Sequence, residues 1–342
     1  MANVQKQFNE FHDKIRLKGY SDNKKLREKR DLLINDLNVG LKKQEKEDDA
    51  PPLSFEKFDQ GSYAIHTGTK PIHKEDDYDI DVGLIFDLNA KEHQEYLDDP
   101  VKLKKRIRDA LDKNNRTVQI KEPCVRVQYK KDGTDDYHVD LANYKNISGT
   151  DELDLSRGKE HSSEGNKKWD RQDPKGLIDK INKAQSNDED RAQMRRCIRY
   201  LKRWRDRKFS TGVPVSIALT VAAYKWFVVD IDIDGEPSDQ SAMKKLVESM
   251  LSNKQADGRL VITLPVTPYN DLLAEMTDKQ MEDFFEKLED LKTTLEDSIS
   301  LKCPHEVCKK LQKQFGDEFP VPDKEETGKK GVAPVIVTGV SS

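Results

Sequence analysis

Residues 77 to 86 read Asp-Tyr-Asp-Ile-Asp-Val-Gly-Leu-Ile-Phe, carboxylates at every second position giving way to an apolar alternation. An extended strand sends alternate side chains to opposite faces, so the run predicts a strand with Asp79 and Asp81 together and Ile80, Val82, Leu84 and Phe86 packed behind. Two like charges on one face repel unless a cation stands between them, and oxygen-only donors suit a hard ion such as Mg²⁺. Asp77 and Asp79 form a competing pair on the same face; the apolar alternation and Gly83 directly after Asp81 favour Asp79 with Asp81. Taken alone, Asp-x-Asp is commonly a solvated acidic edge. The flanking sequence argues otherwise. Upstream, Gln60-Gly61-Ser62 places a glycine where a backbone can approach phosphate closely, followed by a hydroxyl at a short helix start. Downstream, His138-Val139-Asp140-Leu141 turns Asp140 away from its apolar neighbours. Three carboxylates on neighbouring strands can clamp two metal ions around the attacking and leaving oxygens of phosphoryl transfer.

The texture of the chain changes along its length. Segment 21–47 carries Leu26, Leu33, Leu37 and Leu41 at helical spacing, with Ser21-Asp22 as cap candidates. Short strand-like runs follow at 54–58, 79–86, 117–121, 125–129 and 137–144, with a helix at 100–114 and an Asp132-Gly133 hairpin turn. From about residue 174 helices take over: 174–186, 189–208, 215–229, 239–252, 278–297 and 304–315, the fifth opened by a Thr277/Gln280 capping box. Helix, mixed sheet, then helices is the order of an α+β protein with two lobes and a cleft between them. The expected division is a sheet lobe with its long N-terminal helix over 1–170, a helical lobe over 171–320 and a mobile tail over 321–342.

Charge and cysteine usage narrow the function. With 60 Lys plus Arg against 64 Asp plus Glu the chain lacks the basic excess of a protein that coats long nucleic acids. It has no signal-like start and no stretch apolar enough to span a membrane. Cys124, Cys197, Cys303 and Cys308 are too scattered for a disulfide framework, which suits a reducing cytoplasm. Cys303-Pro-His305-Glu-Val-Cys308 fits no common zinc spacing, and no structural metal is expected.

Taken together, Gly61-Ser62, Asp79/Asp81 and Asp140 resemble the cGAS/DncV-like nucleotidyltransferases of bacteria, and within them the DncV-like cyclic GMP-AMP synthases of anti-phage systems. The likeness continues through Gly165–Pro174, Met194–Asp206, Gly212–Leu219 and Leu311–Pro320. It implies a bilobal fold like that of DNA polymerase beta, with a mixed β-sheet lobe and a helical lobe around the active-site cleft. It further implies that Asp79, Asp81 and Asp140 hold two Mg²⁺ or Mn²⁺ ions and are catalytic, and that Gln60, Gly61, Ser62, Lys202 and Ser216 bind the donor triphosphate. Arg126 matches an arginine that reaches the nucleotides. ATP, GTP or other NTPs are the implied substrates. The implied partners are an effector that senses the cyclic product and a ubiquitin-transferase-like enzyme acting on the C-terminus. Outside the resemblance, Lys202 reads as part of a solvated basic helix, Ser216 as a helix cap and Arg126 as an exposed strand residue. Trp169 and Trp204 read as packing residues rather than base-stacking platforms. A template-independent nucleotidyltransferase acting on RNA or protein, or a silent nucleotide sensor, are the competing functions.

Overall fold

The computed structural model describes residues 2–17, 19–72, 78–113, 116–131, 134–211 and 214–324. Ahead of the sheet come α1 (Gln5–Ile15) and α2 (Gly19–Glu47). Then follow β1 (Phe55–Asp59), α3 (Gly61–Ala64), β2 (Tyr78–Phe86), α4 (Gln94–Asp98) and α5 (Pro100–Leu111). β3 (Arg116–Ile120), β4 (Val125–Lys131), β5 (Thr134–Asn146), β6 (Leu153–Arg157) and β7 (Lys168–Gln172) complete the sheet. The helical half holds α6 (Pro174–Asn182), α7 (Asp188–Lys208), α8 (Ser216–Trp226) and α9 (Asp239–Ser252). It ends with α10 (Asp278–Ser300) and α11 (Pro304–Phe315).

Strand order is β1-β2-β5-β4-β3, with β6 joining β5 and β7 joining β6. β2 and β5 run parallel and the other pairs antiparallel, so the sheet is mixed. The expected alternation holds in β2: Ile80, Val82, Leu84 and Phe86 enter one core with Val125, Val127, Val139 and Leu141. α2 and α5 cover that face through Leu33, Leu37, Leu41, Leu103 and Ile107. The two helices cross so closely that a Cβ on Gly40 would lie 2.1 Å from the Ala110 carbonyl oxygen. Asp81 and Asp140 consequently belong to the opposite face.

A second core fills the helical half, centred on Met194, Ile198, Leu201 and Trp204 of α7 with α8 to α11 around them. The expected capping box is present at α10, where Thr277 and Gln280 exchange side-chain and backbone hydrogen bonds. Trp204 packs edge-on against Phe209 at 5.7 Å, and the Trp169 indole N–H donates to the Tyr96 and Leu97 carbonyls at 3.1 Å, so both tryptophans anchor packing. Asp239 is fully buried and held by both Nε and Nη2 of Arg196, at 2.7 and 2.8 Å, with the Tyr200 hydroxyl donating at 2.9 Å. This satisfied ionic cluster ties α7 to α9.

Several expectations are corrected. α2 begins at Gly19, so Ser21-Asp22 lie within it rather than capping it. α1 was not anticipated, and it packs into the helical core through Phe8, Phe11 and Ile15 rather than with the sheet lobe that 1–170 assigns it to. Its apolar residues at i, i+3 and i+7 are diluted by polar neighbours, and the partners that bury them, Tyr200, Phe315 and Phe319, are distant in sequence. β6 and β7 were also missed: Leu155 opposite Tyr144 and Trp169 opposite Ser156 show strands specified by pairing more than by composition. The Asp132-Gly133 turn and residues 325–342 of the tail lie outside the described residues. Phe11 is fully buried among three aromatic rings. Phe11→Ala is expected to destabilise the protein by about 3–5 kcal/mol, read as a lowered urea midpoint.

Candidate functional site

Gly61 joins β1 to the single turn of α3 at φ +64°, the left-handed region that glycine adopts without strain. A Cβ there would sit 1.8 Å from an Asp81 carboxylate oxygen, so the missing side chain is what lets the turn lie against that carboxylate. The Gln60 backbone N–H donates to the Asp81 carbonyl at 3.4 Å, and its side-chain amide donates to the Tyr144 hydroxyl at 3.0 Å. Burial pushes the Tyr144 phenol up, keeping it protonated as a neutral anchor.

Asp81 and Asp140 are partners in the parallel β2–β5 register, on strands about 4.8 Å apart. Asp140 is gripped from β4 by Arg126, with Nε and Nη2 donating to its two carboxylate oxygens at 2.8 and 2.6 Å. Arg126 was expected to reach the nucleotides; the contact it makes here is a bidentate pair that supplies Asp140 with its countercharge. Asp79 stands two positions before Asp81, opposite His138; its side chain lies outside the described residues.

Across from the sheet, α7 presents Lys202, Arg205 and Asp206 at helical spacing, with Phe209 just past its end, to a cleft of about 780 Å³. Gln60, Gly61, Ser62, Asp81 and Ser216 line the same cleft, and Leu177, Ile178 and Ile181 of α6 give it an aliphatic wall. Asp140 and Arg126 do not form part of the wall. Lys202 is only 4% exposed, which overturns the solvated basic helix, and its ammonium donates to the carbonyl and hydroxyl of Thr67 at 3.2 and 3.0 Å. Its pKa is pushed down to about 7, first by burial and then by Arg205 and Arg199, against partial compensation from Asp206 and Asp81. Ser216 is not a cap, because Val215 holds that position; its hydroxyl accepts from Arg205 Nη1 at 2.6 Å.

Arg205, Asp206, Thr67 and Tyr144 were not assigned to the site from sequence. For the first two a signal existed, since they stand three and four residues after Lys202 on one helical face. Thr67 and Tyr144 carry none, for their roles arise only from contacts over 135 and 84 positions.

Comparison with known proteins adds the decisive observation. The model of the cyclic GMP-AMP synthase DncV-like nucleotidyltransferase domain matches residues 56–144, and that of the cyclic GMP-AMP synthase C-terminal domain matches residues 191–325. The chain belongs to the cGAS/DncV-like nucleotidyltransferases. The first match spans the Gly-Ser turn and all three aspartates, the second Lys202 and Ser216. A cyclic GMP-AMP synthase of Escherichia albertii is 29% identical over 151 residues, 42% of this chain but 30% of the relative, so the match spans under a third of that protein. Vibrio cholerae DncV cyclic AMP-GMP synthase in complex with nonhydrolyzable GTP has the same fold, with a TM-score of 0.72 at 18% identity over 93% of this chain and 97% of its own. The same enzyme with a linear intermediate, 5' pppA(3',5')pG, gives 0.60 at 21% identity over 78% and 70% of the two chains. Among the described residues no helix is long and apolar enough to cross a membrane.

In this DncV-like chain Gly61→Ala must displace either the turn or the Asp81 carboxylate, and it forces an L-residue into the left-handed region. The variant is expected to lose about 1–3 kcal/mol of stability and nearly all nucleotidyl transfer, checked by thermal melting alongside a nucleotide-turnover assay.

Proposed function

We propose that the chain is a cyclic oligonucleotide synthase that joins NTPs, most simply ATP and GTP into cyclic GMP-AMP, with release of pyrophosphate. The observation that carries this reading is the approach of the Gly61 backbone to the Asp81 carboxylate in the same cleft that Lys202 and Ser216 line from the helical lobe. A phosphate-admitting turn, a carboxylate and a buried cation within one cleft are the parts that nucleotidyl transfer needs.

The residues fit hard divalent cations, because Asp81 and Asp140 are all-oxygen donors in register on adjacent strands. Asp79, Asp81 and Asp140 would hold two Mg²⁺ or Mn²⁺ ions, whose chemistry when bound is to neutralise phosphate oxygens and lower the pKa of the acceptor ribose hydroxyl. Lys202, Ser216, Gln60 and Ser62 hold the donor triphosphate, with Arg205 orienting Ser216. The acceptor hydroxyl oxygen bonds to the donor α-phosphorus while the bond to the β-phosphate bridging oxygen breaks, and pyrophosphate leaves. Asp140, in register beside Asp81, is assigned the hydroxyl proton at a carboxylate oxygen that it frees by giving up one of its two bonds to Arg126 as it turns to the cleft. A linear, triphosphate-bearing dinucleotide then turns so that its free hydroxyl attacks its own α-phosphate, releasing a second pyrophosphate.

The reading extends to a setting: a cytoplasmic synthase in an anti-phage system, whose product is sensed by an effector from the same operon and whose C-terminus is open to a ubiquitin-transferase-like partner. It divides the chain into a sheet lobe, a helical lobe beginning near residue 171 with α1 added to its core, and a tail from 321 whose first residues still meet the helical lobe, Val321 packing on its core and the Pro322 carbonyl bonding to His305.

Incubation with labelled ATP, GTP, CTP and UTP in Mg²⁺ or Mn²⁺ tests the chemistry. A phosphatase-resistant product is expected, identified by mass spectrometry and reduced by about 10³-fold or more in an Asp79→Ala/Asp81→Ala double variant. Linear or polymeric product alone would instead mark a template-independent nucleotidyltransferase, and an effect that survives the double variant would mark a silent sensor. Because Lys202 titrates near 7, its cationic fraction falls as pH rises through that value, and a bound triphosphate raises its pKa. Nucleotide affinity is expected to weaken above about pH 7, by at most tenfold per unit, and Lys202→Arg to flatten the dependence, since guanidinium stays charged. Titration calorimetry across the range checks it.

A further inference from the structure

Thr67 is fully buried at the seam where the segment after α3 meets α7. Its backbone N–H donates to the Ser62 carbonyl at 2.9 Å, while its carbonyl and hydroxyl oxygens accept two N–H bonds of Lys202. The carbonyls around it are held as well. Arg199 donates to the His66 and Gly68 carbonyls at 2.6 and 3.1 Å, and Arg203 donates to the Lys70 carbonyl at 2.7 Å. An ammonium has three donors, so Thr67 fixes two and leaves one for an anion in the cleft that Lys202 lines.

We propose that Thr67 is a positioning residue for nucleotide binding: by fixing two N–H bonds of Lys202 it presents the third to the triphosphate, and through its own amide it holds the Ser62 turn in register with that cation. The proposal rests on the reading of Lys202 as a phosphate ligand. A lysine in a desolvated seam has no water shell to orient it, so its direction is set by the acceptors the protein supplies. The carbonyl acceptor belongs to any residue at position 67; the hydroxyl is what threonine adds. Neighbouring charges do not replace it. Those acting on Lys202 are Arg199, Arg205 and Asp206 on α7 and Asp81 on β2, with Lys70 also in the cleft wall.

Thr67→Val keeps the branched shape and removes the hydroxyl; Thr67→Ala removes it without requiring room for a methyl group; Thr67→Ser retains it. Each is compared with wild type and Lys202→Met for KM and kcat, and for affinity toward nonhydrolysable ATP and GTP analogues with Mg²⁺ from about pH 6 to about pH 9. Losing an acceptor of the charged form weakens phosphate capture, so the valine and alanine variants are expected to raise KM by about tenfold with a smaller change in kcat. The same loss lowers the Lys202 pKa further, so their affinity begins to fall at lower pH than in wild type. Thr67→Ser restores both. Wild-type affinity and pH profile in the valine or alanine variant overturns the proposal, as does a serine variant that fails like valine. Undiminished binding by Lys202→Met, or no binding of either analogue by wild type, instead removes the reading of Lys202 on which it stands.

Discussion

Three cations of α7, Arg199, Lys202 and Arg203, hold the backbone carbonyls of loop 66–70, and the cleft is arranged around that seam. The loop follows the Gly-Ser turn and precedes the aspartate strand, so its attachment to α7 sets how the sheet lobe stands against the helical lobe. Buried cations are tolerated only when their donors are matched. Here most of the matching groups are main-chain oxygens, which withstand side-chain substitution; the side-chain contributions are the Thr67 hydroxyl on Lys202 and the Glu318 carboxylate paired with Arg203. The His12 ring accepts from Arg199 on the other side at 3.2 Å, and its pKa is driven down to about 3 by burial and by Arg199, so α1 closes the seam with a neutral imidazole.

Around the seam the charges are distributed unevenly. Asp140 is neutralised at close range by Arg126, whereas Asp81 lies against the Gly61 turn in the cleft wall. Lys202 and Arg205 face the same space, one tied to Thr67 and the other to Ser216 and Asp206. The cleft thus combines a polar end, where carboxylate and cations converge, with the aliphatic wall of α6. A nucleotide, with its charged triphosphate and flat base, needs both kinds of surface.

Much of the site was legible because its parts lie in local patterns. Asp81 and Asp140 follow from alternation that a strand converts into opposite faces, and Gly61 from the requirement for a close approach. Lys202 was legible only through the family resemblance; by itself the run Lys202-Arg-Trp-Arg-Asp-Arg-Lys208 describes a solvated helix, and no periodicity reveals that loop 66–70 covers it. Arg126 was found as a residue, but its grip on Asp140 required the β4–β5 register, which places Arg126 opposite Asp140. β6, β7 and α1 escaped because their stabilising partners are remote, so their own sequences carry little signal.

The sequence by itself determined the elements whose information is local: the β2 alternation, the capped α10, the order of sheet before helices and the face that Asp81 and Asp140 share. Tertiary structure decided the rest. It placed α1 in the helical core, paired Arg126 with Asp140, gave Thr67 to Lys202 and moved that lysine's pKa toward neutrality. Periodicity fixes which face a side chain joins, because it follows from backbone geometry over a few residues. Desolvation and hydrogen-bond pairing depend on which distant atoms arrive at that face, and only the folded chain brings them there.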